Sequence, residues 1–198
     1  MNIKLSFNSN MMASVWYADQ IHNNLYQLHI QLVTITDDPI EQNIAMDRLK
    51  YMMLEQLNSA VFIQNIYPEI IDKFNEMNIK VVVVPEEPVD QIIGMMLFSK
   101  LNAIMENRML ITTLQLSSLI GDSISYYHDV EDDLGPFTQE GWWSDSDART
   151  VSRNGVKIGD KVVKITRYPQ WKDVGLEWSD GGLDDNTVVF GKFDADED

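Results

Sequence analysis

Asp38-Pro39-Ile40-Glu41, followed forty residues later by Ile79-Lys80-Val81-Val82-Val83-Val84, decides the fold class of this chain. The first stretch places an acceptor side chain before Pro, with Glu three residues after the Asp, which is how a helix begins. The second is β-branched and almost unbroken, the pattern of a strand covered on both faces. Between them, Ile40, Ile44, Leu49, Met53, Leu57 and Ala60 recur on one helical face, a short strand is expected at Val61 to Gln64, and Pro68 opens a second helix, Glu69 to Met77. Beyond them lie a third, nearly all-apolar helix, Val89 to Asn107, a strand at Met109 to Ile120, a turn at Gly121-Asp122 and a strand at Ser123 to His128.

Upstream, Ile3 to Phe7 and Ser14 to Gln20 read as strands, and Tyr26, Leu28, Ile30 and Leu32 alternate with polar residues over Tyr26 to Thr36, with a turn expected at Asn23-Asn24. Alternating strands and helices build a sheet with right-handed crossovers, so parallel central strands are expected, with hairpins adding antiparallel edges. The predicted class is α/β: a mixed sheet with three crossover helices, an antiparallel N-terminal hairpin, and a small C-terminal β-meander with an acidic tail. The expected organisation is a core domain over 1–128, an acidic and aromatic loop with the meander over 129–178, and a tail over 179–198.

With 198 residues the chain can bury a core without staples, and having no cysteine it offers neither disulfides nor thiolate metal sites. That favours a reducing cytoplasm. Met1 to Trp16 does not read as a signal peptide, and the apolar run Ile92 to Phe98 is too short to span a bilayer, so no membrane partner is expected. A net charge of −16 argues against direct binding to nucleic acid. The charge is layered. Asp122 to Asp147 is acidic without a base, Arg149 to Lys172 is basic with Asp160 its one acid, and the end, from Asp173, is acidic again. The basic segment is expected to be neutralised within the chain, with the tail folding over it.

Candidate chemistry comes first from the strand ends, where open α/β sheets collect ligands. Asp37, Asp38, Glu86 and Asp90, with Glu87 beside them, would suit Mg²⁺ or Mn²⁺ and so a metal-dependent phosphoesterase or nuclease. Helix capping explains the same carboxylates without a metal, so the expectation is no cofactor, with Mg²⁺ or Mn²⁺ as the alternative. His128-Asp129-Val130-Glu131-Asp132-Asp133 matches no ligand spacing, and His22 with His29 lacks a third ligand. No nucleotide-binding glycine loop, nucleophile turn or zinc-protease motif is present, and no catalytic residue is assigned.

The remaining signal is aromatic. Phe137, Trp142 and Trp143, with Asp145, Asp147 and Trp171, place rings among acids in a Gly/Pro-rich stretch, the composition of an exposed anchor for a protein partner. Packing against the protein's own sheet is the alternative. Pro85 to Met96, with Gly135-Pro136-Phe137 and Gly141-Trp142-Trp143, resembles uncharacterised small acidic proteins of large tailed bacteriophages. The resemblance implies a viral protein made in a bacterial cytoplasm. The expected function is therefore a non-enzymatic acidic binding protein, an inhibitor or accessory factor docking on a basic host or viral protein. The alternatives are the metal-dependent hydrolase and a virion component or self-assembling homo-oligomer built on the apolar third helix.

Overall fold

Two long strands carry the architecture: β1, Lys4–Tyr17, and β2, Gln20–Thr34, pair antiparallel along their whole length. The structure is a computed structural model and describes residues 3–120, 124–148 and 170–179. The turn between β1 and β2 is Ala18-Asp19, both at positive φ (48° and 59°), the geometry of a two-residue hairpin loop. Asn23 and Asn24, expected at the turn, lie inside β2 instead.

The chain continues through α1 (Pro39–Tyr51) and a π-helical turn at Met52–Leu57 into β3 (Val61–Gln64). Then come α2 (Pro68–Glu76), β4 (Val81–Val84), α3 (Asp90–Met105), β5 (Met109–Ser118) and β6 (Ser125–Asp129). Among the described residues, six strands form one mixed sheet in the order β4-β3-β1-β2-β5-β6. Parallel pairing joins β1 to β3 and β3 to β4, and the other pairs are antiparallel. The α/β class is as read from the sequence, but the N-terminal hairpin forms the centre of the sheet rather than an edge. At fourteen and fifteen residues, β1 and β2 outreach the four-residue β3 and β4, and they form the middle pair of the sheet.

One face of the sheet carries the main core. Tyr26, Leu28, Ile30 and Leu32 of β2 and Ile111, Leu114 and Leu116 of β5 meet Ile93, Met96, Leu97, Leu101, Ile104 and Met105 of α3, all buried. Each such side chain contributes about 1.5–3 kcal/mol of transfer free energy. The helix expected either to be buried or to hold a partner is buried against its own sheet, which removes the basis for a self-assembling component built on it. In α1 the buried stripe is Glu41, Ala45, Arg48 and Leu49, while Ile40 is exposed.

On the opposite face, α2 covers only the β3–β4 end, through Phe74 against Val61, Ile63 and Val81, with Trp16 edge-on to Phe74. Over the rest of that face the register lines up polar side chains: Ser6 with Gln31 and Thr113; Asn8 with His29, Gln115 and Tyr127; Asn10 with Gln27, Ser117 and Ser125. These residues are exposed or half-buried. A register shift at Gln31/Leu32 bulges Thr112 and keeps the β5 alternation in step.

Residues 129–148 and 170–179, expected as an appendage, contribute Phe137, Trp142 and Trp178 to the main core cluster. The expected Gly121-Asp122 turn, the meander with its basic residues, and the tail from residue 180 lie outside the described residues.

Candidate functional site

The carboxylates expected to share a metal do not meet. β1 and β3 run parallel with Ser14 beside Val61, so Glu86, Glu87 and Asp90, after β4, lie at the end of the sheet where β1 finishes. Asp37 and Asp38 follow β2, which ends beside Lys4 at the start of β1. Nearly the whole length of β1 separates the two groups. Asp38 Oδ1 instead accepts from the Ile40 backbone amide at 2.8 Å and caps α1. Among the described residues, no three His, Asp or Glu side chains are placed to hold a metal ion. In the 129–135 loop, Asp129, Asp132 and Asp133 each accept a local backbone N–H, so these acids shape a turn. His22 and His29 both lie on β2, seven positions apart and therefore on opposite faces.

The aromatic residues expected at a partner surface are largely structural. Phe137 and Trp142 are 3 % exposed. The Trp142 indole N–H donates to the Val83 carbonyl at 2.8 Å, on the side of β4 that faces away from β3. Trp143 packs edge-on against both Phe137 and Trp142 and donates to the Gln139 carbonyl. The backbone carbonyls of Asp145, Asp147 and Trp142 accept from Lys100 Nζ at 2.7, 2.9 and 3.0 Å. Lys100 is fully buried, so the loop is fastened to α3 by an internal cation. Trp171 donates to the Ser146 carbonyl at 2.6 Å, and its ring lies 4.5 Å from the Arg48 guanidinium. Trp178 takes the other side of Arg48 at 3.7 Å, and Glu41 accepts from the backbone and hydroxyl of Ser179. Residues 170–179 form a strap closed over α1. Phe137 and Trp142 are thus packed inside the protein, while Trp143 and Trp171 stay half-buried.

What the fold does assemble is a cavity of about 260 Å³ beyond the N-terminus of α3, on the helix-covered side of the hairpin. Val15 and Tyr17 from β1, His22, Asn24 and Tyr26 from β2, the Glu87–Asp90 segment and Ile120 line it. The strand period explains the set, since 15 and 17 on one strand and 22, 24 and 26 on the other share a face. Tyr26 is fully buried, and its hydroxyl makes no well-formed hydrogen bond with the protein, although Asn24 and Asp90 flank it. Burial, reinforced by the Asp90 charge, pushes the Tyr26 phenol well above its ordinary range, so it stays a proton donor. Asn24 is spent on structure: its amide donates to Ser118 Oγ and its carbonyl accepts from Leu25 N and Ile120 N. At the mouth, His22 Nε2 donates to the Tyr17 carbonyl at 3.2 Å, which assigns the neutral ring a free Nδ1 acceptor. Glu87 is exposed and Asp90 half-buried, so the cavity carries acceptor charge at its rim and a phenol donor at its base. Of this set the sequence reading singled out Asp90, Glu87 and His22, each for another reason. Tyr26 was passed over because a Tyr on an alternating strand looks like any other core residue.

No family model matches the chain, and no curated protein matches it. The solved structures it is similar to include an uncharacterized protein from Wolinella succinogenes, at 10 % identity and TM-score 0.48, covering 66 % of this chain and 99 % of that one. They also include 6-pyruvoyl tetrahydropterin synthase from Plasmodium vivax, at 10 % identity and TM-score 0.43 with the same coverage. The synthase from Plasmodium falciparum is 13 % identical, with TM-score 0.40, covering 64 % and 96 %. None of these is a bacteriophage protein or an inhibitor. The resemblance to tailed-phage proteins is corrected, and with it the reading as a non-enzymatic viral docking protein, two of whose expected anchors, Phe137 and Trp142, are buried. Among the described residues, no helix is long and apolar enough to cross a membrane.

Proposed function

We propose that the cavity between the β1–β2 turn and the start of α3 binds a small molecule bearing an amine, amidine or guanidine group on a flat ring. One observation carries this reading: the buried Tyr26 hydroxyl, without a good hydrogen bond, points at a cavity flanked by Asp90 and Glu87. The carboxylates accept from a donor-rich nitrogen group, while Val15, Val89 and Ile120 and the tilted Tyr17–His22 pair (ring centroids 6.0 Å apart) supply an apolar wall for a ring. His22 Nδ1 at the mouth adds a further acceptor.

Thermal unfolding with benzamidine and with guanidinium at low concentration tests the reading, with benzoate and benzyl alcohol as controls. Benzamidine is expected to raise the melting temperature in proportion to occupancy; at a hundred times its Kd the gain is about 2.7 kcal/mol. The Asp90→Asn variant is expected to lose that rise. Equal shifts with benzoate, or none with benzamidine, would overturn the proposal.

We further infer that the chain forms a homo-oligomer through β6. That strand ends the sheet, with Ile124 and Val130 beside it more than half exposed. Light scattering that returned the single-chain mass of 22.8 kDa at all concentrations would remove this reading.

A further inference from the structure

The face of the sheet opposite the main core has an unusual composition. Three cross-strand rows over β1, β2, β5 and β6 present amides, hydroxyls, one His and one Tyr, with Asp129, the β6 partner of Thr113, at one corner. In a chain with 23 % charged residues, these rows contain no Lys, Arg or Glu. Solvated sheet faces use long charged side chains to discourage association. Short amides fixed in register do the opposite, because each offers a donor and an acceptor on one group.

The face is also hollowed. A second cavity of about 260 Å³ is lined by Asn8, Gln27, His29, Gln115 and Ser117, with Leu28 at its floor. His29 Nδ1 and Asn8 Oδ1 lie 2.5 Å apart; donation from the ring to the amide carbonyl leaves His29 Nε2 as an acceptor. Tyr127 sits opposite Gln115 in the same row, 62 % exposed, and offers an aromatic face beside the cavity.

We propose that this amide-lined face binds a neutral oligosaccharide. One sugar ring sits in the cavity between Asn8, His29 and Gln115, with a neighbouring ring over Tyr127. Charge complementarity selects the occupant: the rows hold no fixed cation to grip a phosphate, sulfate or carboxylate, and the chain's net charge of −16 repels polyanions. Vicinal hydroxyls both give and accept hydrogen bonds, as Gln115 and Gln27 do, and the C–H face of a sugar packs on a phenol ring. The site is separate from the Tyr26 cavity, because no residue lines both.

The test follows the side-chain amide resonances of Asn8, Gln27 and Gln115 by NMR as maltohexaose, cellohexaose and chitohexaose are added in turn, with a heparin hexasaccharide as the acidic control. Saturable shifts of these resonances with at least one neutral sugar are expected, with none from heparin. Gln115→Ala and Tyr127→Ala are each expected to weaken that binding about tenfold while the melting temperature stays unchanged. Three results would overturn the proposal: no shift with any neutral sugar, shifts that survive both substitutions, or shifts with protein concentration alone, which would show a second copy on this face.

Discussion

The indole nitrogen of Trp142 and the carbonyl oxygen of Val83 lie 2.8 Å apart, and this one hydrogen bond closes part of the outer edge of a sheet whose last strand is four valines. An uncovered edge of such composition invites pairing with other chains. The 135–148 segment prevents it by laying a ring along the strand.

Trp142→Ala is accordingly expected to cost about 3–5 kcal/mol through lost packing and to cause concentration-dependent aggregation. Trp142→Phe keeps most of the ring, loses the donor, and is expected to cost nearer 1 kcal/mol. Urea unfolding with light scattering separates the two effects, and a Trp142→Phe variant as stable as the wild type would show that the donor contributes nothing.

Lys100→Met removes the donor to three backbone carbonyls while keeping an apolar stem. The expected loss is about 3 kcal/mol or more, since several buried acceptors are orphaned together. Limited proteolysis should then cut within 135–148 before any other described segment. A variant with wild-type resistance would contradict the fastening described for Lys100.

Arg48→Lys keeps the charge but not the planar fork that serves Leu176, Ile104 and Glu106 between two indoles. A loss of about 2 kcal/mol is expected, with a red shift in tryptophan fluorescence as the 170–179 strap lifts. An unshifted spectrum would mean that the strap is held without Arg48.

Burial lowers the His128 pKa below its ordinary 6.5, and the Asp132 charge only partly opposes this. The unfolded chain therefore binds the proton first, and stability falls as pH drops below about 6.5. His128→Gln is expected to remove that part of the pH dependence. Parallel stability-against-pH curves for the two proteins would exclude His128 as its source.

A Cβ on Gly94 would stand 2.7 Å from His128 Nε2, so Gly94→Ala must displace the imidazole or α3. The expected cost is about 1–3 kcal/mol, read as a lower urea midpoint. Restoration by His128→Ala in the double variant would confirm the contact.

The α/β class, the three helices and the short parallel strands were legible because their signals are local: Pro39 after a capping Asp38, Pro68 before an apolar stripe, and the valines of β4. The hairpin turn was missed because Ala18-Asp19 lacks the Asn or Gly that normally marks positive φ, while Asn23-Asn24 carries that mark and is extended. The α1 stripe was misjudged at its start because Glu41 and Arg48 are buried by partners far along the chain: Ser179 at one, Leu176 and Glu106 at the other. The strand-end carboxylates were grouped on the assumption that β2 ran parallel to β4. Strand direction depends on which neighbour the long hairpin chooses, and no local pattern encodes that choice. Tyr26 and the open-face amides gain meaning only from register.

Because the middle of the sheet is a single ribbon closed by Ala18-Asp19, the earliest long pairing joins neighbours along the backbone and needs nothing made later. During synthesis this ribbon leaves the ribosome with both flanks bare, until the segment carrying Val61 reaches one side and the segment carrying Met109 the other. Its amide-bearing side is what keeps the nascent ribbon wetted during that interval. Greasy substitutions at Asn8 or Gln27 would therefore harm the yield of new protein more than the endurance of finished protein.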